Sequence, residues 1–161
     1  MFYAEAIHRH VGKAKMINFE RNGCDVSASL WDAHVKFPNH LPWNRFRSVK
    51  DCAELWSSFA KESKRIQSSP NFLNVHYEQL VDSPLIVVEE ECKFLEIEVL
   101  RELPESSNLN DNIVTDKGPW KTRVHGAIKR ASKFQSVLNE EELKIVNGII
   151  GVSYKEPAMS H

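Results

Sequence analysis

Two short strand-like runs, each followed by a helical pattern, constrain the fold of this chain most. Residues Ala14 to Phe19 and Phe72 to Tyr77 are short, mostly apolar and flanked by turn residues, which predicts two buried strands. Apolar residues at helical spacing follow each run, over Cys24 to His34 and again after Pro84. Alternating strands and helices predict an α/β fold in which a parallel sheet is flanked by helices.

Helix start signals support this order of elements. Ser48 with Asp51 three residues on predicts the start of a helix that carries Trp56 into the core, and Asn139 before three glutamates predicts the start of a final helix. In the helix after the second strand, the residues predicted to face inward are Leu85, Val88, Cys92 and Leu95. Two strands are too few for a complete sheet, so we expect residues 1–161 to form a single domain that is incomplete at its N-terminus.

Charge and cysteine content narrow the possible functions. The 161 residues carry a formal net charge of −1, so a nucleic acid is not an expected partner and any bound anion needs a local cluster of donors. No apolar run is long enough for a membrane span. The three cysteines, Cys24, Cys52 and Cys92, are widely spaced, which predicts reduced thiols in a cytoplasmic protein and no metal site.

The segment from Arg21 to Ser29 carries the clearest candidate chemistry. Arg21 comes at the end of the first predicted strand, and Asp25 and Ser29 lie one turn apart on the same face of the predicted helix. A guanidinium, a serine hydroxyl and the free amides at a helix start can together bind a phosphate group. The same residues also fit an Arg21–Asp25 surface ion pair with Ser29 facing solvent, and the segment alone does not separate the two interpretations.

This R-x-x-x-D-x-x-x-S pattern after a strand resembles the element with which sulfotransferases bind the 3′-phosphate of the sulfate donor 3′-phosphoadenosine-5′-phosphosulfate (PAPS). The resemblance implies that Arg21 and Ser29 contact this phosphate and that Asp25 braces the turn. Gly23 stands where the family commonly has a proline, which implies a less rigid turn.

A second segment resembles the same family. Val75 to Pro84, with the helix ending at Cys92 to Ile97, is similar to the family's strand, Y-E-D-L turn and helix ending in F-L-G. The resemblance implies that Tyr77 lies near the nucleotide, where its ring can pack on a base. Glu78 is interpreted as a residue that caps the turn.

A third segment, Lys117 to Lys121, is similar to the family's late G-x-W-K segment. The resemblance implies that Lys117 and Gly118 also contact the donor. Trp43, in a loop bounded by prolines, is a candidate for the acceptor site.

The resemblance implies a fold and a reaction. The chain would be the C-terminal portion of a sulfotransferase, with a partial P-loop-like sheet, whose intact relatives use PAPS as co-substrate and transfer its sulfuryl group to an acceptor hydroxyl or amine. Upstream of the first strand only Gly12-Lys13-Ala14 hints at the family's phosphate loop, and it lacks the Ser or Thr of such a loop. No residue is therefore assigned as catalytic, and the alternative is a catalytically inactive nucleotide-binding or interaction fragment.

Overall fold

The computed structural model describes residues 4–99 and 132–151. The elements in chain order are α1 (Ala4–His10), β1 (Met16–Glu20), α2 (Gly23–Lys36), a short 3-10 helix (Trp43–Arg45), α3 (Val49–Ile66), β2 (Phe72–His76), α4 (Tyr77–Asp82), α5 (Pro84–Leu95), α6 (Phe134–Val137) and α7 (Glu140–Ile150). The predicted α/β order of strands and helices is confirmed. Among the described helices, none is both long enough and apolar enough to cross a membrane.

The sheet consists of β1 and β2, which pair in parallel. The register runs from Met16 opposite Phe72 to Glu20 opposite His76. Both strands therefore end at the same edge of the sheet, and the residues that follow them lie side by side. The parallel sheet expected from the sequence is confirmed.

A polar network lies between the sheet and α3. The Asn18 side chain donates to Asn74 Oδ1 across the strands at 2.6 Å and lies 3.3 Å from the hydroxyl of Ser63, which is buried on α3. Ser63 in turn donates to Asn74 Oδ1 at 3.2 Å. Because the two asparagines are paired in register, this network holds the strands in the alignment that places their carboxyl ends together.

The apolar core lies among α2, α3 and the C-terminal helices. Its buried residues are Ala28, Val49, Ala53, Trp56, Ala60, Leu138, Val146 and Ile150. The prediction that Trp56 belongs to the core is confirmed. Small residues on α2 and α3 let these helices approach closely, while the branched side chains of α7 fill the space beside them.

Two capping boxes set the starts of α3 and α7. Ser48 accepts a hydrogen bond from the Asp51 amide at 3.4 Å, and Asp51 accepts one from the Ser48 amide at 3.1 Å. Asn139 and Glu142 exchange the equivalent bonds at 2.9 and 3.0 Å. Each box satisfies amides that a helix start otherwise leaves unpaired. Both predicted starts are confirmed.

Two local predictions were only partly right. The second strand begins at Phe72 as predicted but ends at His76, and Tyr77 begins α4. On α5, Val88 and Cys92 are partly buried as predicted, but Leu85 is 60% exposed and Leu95 is 37% exposed, whereas Val87 is buried. The inward face of α5 is thus rotated from the predicted one, because the helix packs on β2 and α4 through the side that carries Val87.

Candidate functional site

Arg21 and Tyr77 meet at the carboxyl edge of the sheet. Arg21 follows Glu20 at the end of β1, and Tyr77 follows His76 at the end of β2, so the register places them next to each other. The guanidinium carbon of Arg21 lies 4.9 Å from the centre of the Tyr77 ring. Ligands of open α/β sheets bind at this edge, which makes the pair the centre of the candidate site.

The peptide group that joins Arg21 to Asn22 is held from both sides. The Trp56 indole N–H donates to the Arg21 carbonyl at 3.0 Å, and the Asn22 N–H donates to Glu78 Oε1 at 2.9 Å. One contact comes from α3 and the other from the first turn of α4. Because a peptide unit is planar, two opposite contacts fix its orientation and with it the backbone that carries Arg21.

Asp25 lies beside Arg21 but not on the surface. The distance from Arg21 Nη2 to Asp25 Oδ2 is 3.7 Å, and the side chains are 32% and 10% exposed respectively. Asp25 Oδ1 also accepts a hydrogen bond from the Phe134 amide at 3.3 Å. The ion pair weighed from the sequence is therefore present, with its carboxylate buried and linked to the C-terminal part of the chain.

Ser29 lies one turn beyond Asp25 on α2 and is half-buried. Its α-carbon is displaced from that of Asp25 by about 6 Å along the helix axis, at about 1.5 Å per residue. Its contact with a phosphate held by Arg21 stays a prediction, as does the nucleotide contact of Tyr77.

The start of α2 differs from expectation in one respect. The Asn22 side chain accepts hydrogen bonds from the amides of Cys24 at 2.9 Å and Asp25 at 3.3 Å. These amides were expected to be open to a phosphate, but Asn22 is an N-cap residue and uses them itself. These two amides are therefore already paired within the helix start.

Gly23 is the first residue of α2 and packs tightly against two other helices. A β-carbon there would lie 2.7 Å from Ile150 Cδ1 and 2.9 Å from ring atoms of Trp56. The glycine lets α2, α3 and α7 pack together while Asn22 caps the helix, and the expected loosening of the turn stays a prediction.

Lys117 and Gly118 lie outside the described residues, and their contact with the donor stays a prediction. Trp43 is placed near the far end of α2, where its carbonyl lies 2.9 Å from His34 Nδ1. His34 is eleven residues beyond Gly23, or about 17 Å along the helix. The role of Trp43 at the acceptor site stays a prediction.

Cys24 and Cys52 supply no reactive thiolate near the site. Burial, and next the charge of Asp25, raises the pKa of the Cys24 thiol, and burial followed by the charge of Asp51 raises the pKa of Cys52 to about 12. Both thiols are protonated at neutral pH. In the part of the chain that is described, no three His, Cys, Asp or Glu side chains are grouped to hold a metal ion.

Sequence reasoning missed the two residues that hold the Arg21 peptide group. Glu78 was interpreted as the cap of its own turn, whereas its carboxylate reaches across to Asn22 after the other strand. Trp56 was predicted as core alone. A buried indole N–H needs an acceptor, so the sequence could have shown that Trp56 has a partner, but not that the partner is Arg21.

Comparison with known proteins agrees with the resemblance. Residues 1–102, more than half of the chain, match a model of the sulfotransferase family. No curated protein matches the chain. Among solved structures, the chain is similar to retinol dehydratase in complex with androsterone and the inactive cofactor PAP, with a TM-score of 0.59 and 18% sequence identity.

That similarity covers 95% of this chain and 51% of retinol dehydratase, so the chain spans about half the length of this neighbour. At this identity the similarity shows a shared fold. The matched family segment contains both strands and both residues at the centre of the site. This chain belongs to the sulfotransferase family.

Proposed function

We propose that this chain binds the 3′-phosphate of PAPS, with Arg21 as the main phosphate donor. The observation that carries the proposal is the position of Arg21 against Tyr77 at the carboxyl edge of the parallel sheet. Support also comes from the structure of retinol dehydratase, which is in complex with the inactive cofactor PAP.

The residues at this edge fit a nucleotide phosphate. The Arg21 side chain is about one-third exposed while its Nε is buried, so a phosphate is proposed to contact it through the Nη groups. Asp25 steadies the guanidinium from the protein side, and the Ser29 hydroxyl is proposed as a further donor. The Tyr77 ring offers an apolar face to a base, and Lys117 and Gly118 are proposed to contact the donor as well.

We propose further that intact relatives of this chain transfer a sulfuryl group from PAPS to an acceptor hydroxyl or amine. A reducing compartment such as the cytoplasm fits the three cysteines, all of which are free thiols. The second candidate function is a nucleotide-binding or interaction module without chemistry. It is favoured by one observation, that Gly12-Lys13-Ala14 lacks the hydroxyl residue that a phosphate loop places after its lysine.

Calorimetry with 3′,5′-adenosine bisphosphate (PAP) tests the phosphate site. The unmodified chain should bind PAP, and Arg21→Ala should lower the affinity at least about tenfold, because each charge-assisted hydrogen bond contributes roughly 1.5–3 kcal/mol. Arg65→Ala is the matched control, since it removes an arginine about 14 Å farther along α3 than Trp56. Absence of binding, or unchanged binding in Arg21→Ala, would remove the proposal.

Incubation with labelled PAPS and a mixture of hydroxyl and amine acceptors tests whether this chain has activity by itself. Since none of its residues is assigned as catalytic, we expect PAP to bind without transfer of the label. Transfer of the label by the purified chain would remove the inactive module and support the enzyme.

A further inference from the structure

We infer that Glu78 is a positioning residue, which sets the direction of the Arg21 side chain toward the phosphate without contacting the ligand itself. The inference rests on the proposed function of Arg21. Glu78 Oε1 accepts the Asn22 N–H at 2.9 Å, and this amide belongs to the peptide group that also contains the Arg21 carbonyl.

The Glu78 side chain joins the two strand ends. Arg21 and Asn22 follow β1, while Tyr77 and Glu78 follow β2, and the pairs lie side by side in the sheet register. Arg21 contacts the Tyr77 ring, and Asn22 contacts the Glu78 carboxylate. If the bond between Asn22 and Glu78 is lost, the backbone that carries Arg21 is less firmly held. The guanidinium can then turn away from the Tyr77 ring and from the phosphate position.

Trp56 and Glu78 together fix the orientation of the peptide group between Arg21 and Asn22. Its indole holds the Arg21 carbonyl from α3, on the side opposite the Asn22 amide. A single hydrogen bond allows a peptide plane to rotate about the bond, whereas two bonds at opposite ends do not. With Glu78 removed, the Trp56 contact alone would leave this rotation open.

We expect the length of the Glu78 side chain to affect nucleotide binding more than its charge does. A carboxylate close to a phosphate-binding arginine repels the anion, so simple electrostatics predicts that removing the charge strengthens nucleotide binding. The positioning role predicts the reverse whenever the bond to Asn22 is lost. Two substitutions separate these effects, because Gln keeps the reach and an acceptor oxygen but not the charge, whereas Asp keeps the charge and is one methylene too short.

The experiment compares PAP with 5′-AMP, which lacks the 3′-phosphate, in the purified chain by calorimetry. In Glu78→Asp the ratio of PAP affinity to AMP affinity should fall about tenfold, while in Glu78→Gln it should stay within about threefold of the unmodified chain. Glu90→Gln and Glu90→Asp are the matched controls, since Glu90 is exposed on α5. Neither should change the ratio.

A second readout is the hydrogen exchange of the Asn22 amide, measured by NMR without ligand. It should be protected in the unmodified chain and in Glu78→Gln, and should exchange faster in Glu78→Asp. Equal protection in the Asp variant, an unchanged affinity ratio in it, or a larger loss in the Gln variant would each overturn the inference. An unmodified chain that does not bind PAP would instead remove the proposed function, and the inference with it.

Discussion

Gly23 shows at the scale of one residue how closely the site is joined to the core. It lies two residues after Arg21, and the space that a side chain would need is taken by Ile150 and Trp56. Gly148, within α7, is the opposite case, because nothing lies within 4 Å of the position of its missing β-carbon. A side chain at position 23 is therefore expected to destabilise the fold, whereas position 148 has room for one.

Gly23→Ala should lower the free energy of unfolding by about 1–3 kcal/mol, because the added methyl forces packed side chains apart. Gly148→Ala should raise the free energy of unfolding by about 0.5–1 kcal/mol, since alanine has a higher helix propensity than glycine at an exposed position. Urea unfolding of both variants measures the difference. A Gly23→Ala chain as stable as the unmodified chain would show that the three helices can separate locally at little cost.

Single residues were predictable where the chemistry is local. The position of Arg21 at the end of a strand could be predicted because an apolar run stops just before it, and its contact with a phosphate stays a prediction. The role of Glu78 could not be predicted, because its hydrogen-bond partner is 56 residues away in the chain. Asn22 was within the inspected pattern, but its use of the helix amides depends on a side-chain orientation that the pattern does not specify.

At the scale of one element, the start of α3 makes the chain sensitive to acid. The Arg47 amide donates to the Asp51 carboxylate, with further bonds from Ser48, and these hold the pKa of Asp51 below its usual value. A carboxyl whose pKa is lower in the folded chain stabilises the fold above the unfolded pKa, about 3.9 for aspartate. That contribution is lost as the pH falls through the folded value.

Asp51→Asn should therefore reduce the free energy of unfolding at pH 7, and the difference from the unmodified chain should shrink as the pH falls below about 4. Urea unfolding across this range measures it. Glu54→Gln is the control, because Glu54 is an exposed carboxylate on the same helix. A difference that persists at low pH would show that the charge of Asp51 is not what stabilises the helix start.

The start of a helix was predictable where the residues that signal it lie close together in the sequence. The boxes at Ser48 and Asn139 are complete within four residues, and both helices begin where expected. The inward face of α5 was not predictable, because apolar residues occur around much of its surface and contact with β2 and α4 decides which of them is buried.

The whole molecule depends on a C-terminal helix that closes the core around α2 and α3. Val146 on α7 is fully buried, whereas its neighbour Ile145 is 45% exposed. Val146→Ala should lower the free energy of unfolding by roughly 2 kcal/mol, because two methyl groups and a cavity are involved. Ile145→Ala is the control and should cost less than about 1 kcal/mol. Equal losses would indicate that α7 does not contribute to the cooperative core.

The α/β class followed from the order of the elements, but the assembly of the core did not. Nothing in the pattern of α7 indicates that it packs on α3, about 88 residues earlier in the chain by the midpoints of their ranges. Such pairings depend on shape and on loop paths, which periodicity does not report.

The hydrogen bond from the Phe134 amide to Asp25 spans 109 positions, and its consequence concerns the order of synthesis. The ribosome releases Arg21 and Tyr77 well before it makes Phe134 or Ile150. Until Phe134 is made, the Asp25 carboxylate beside Arg21 lacks this contact from the C-terminal part of the chain. A product cut near residue 102 would keep the family segment and Trp56 but would lack Phe134, which contacts Asp25, and Ile150, which packs against Gly23.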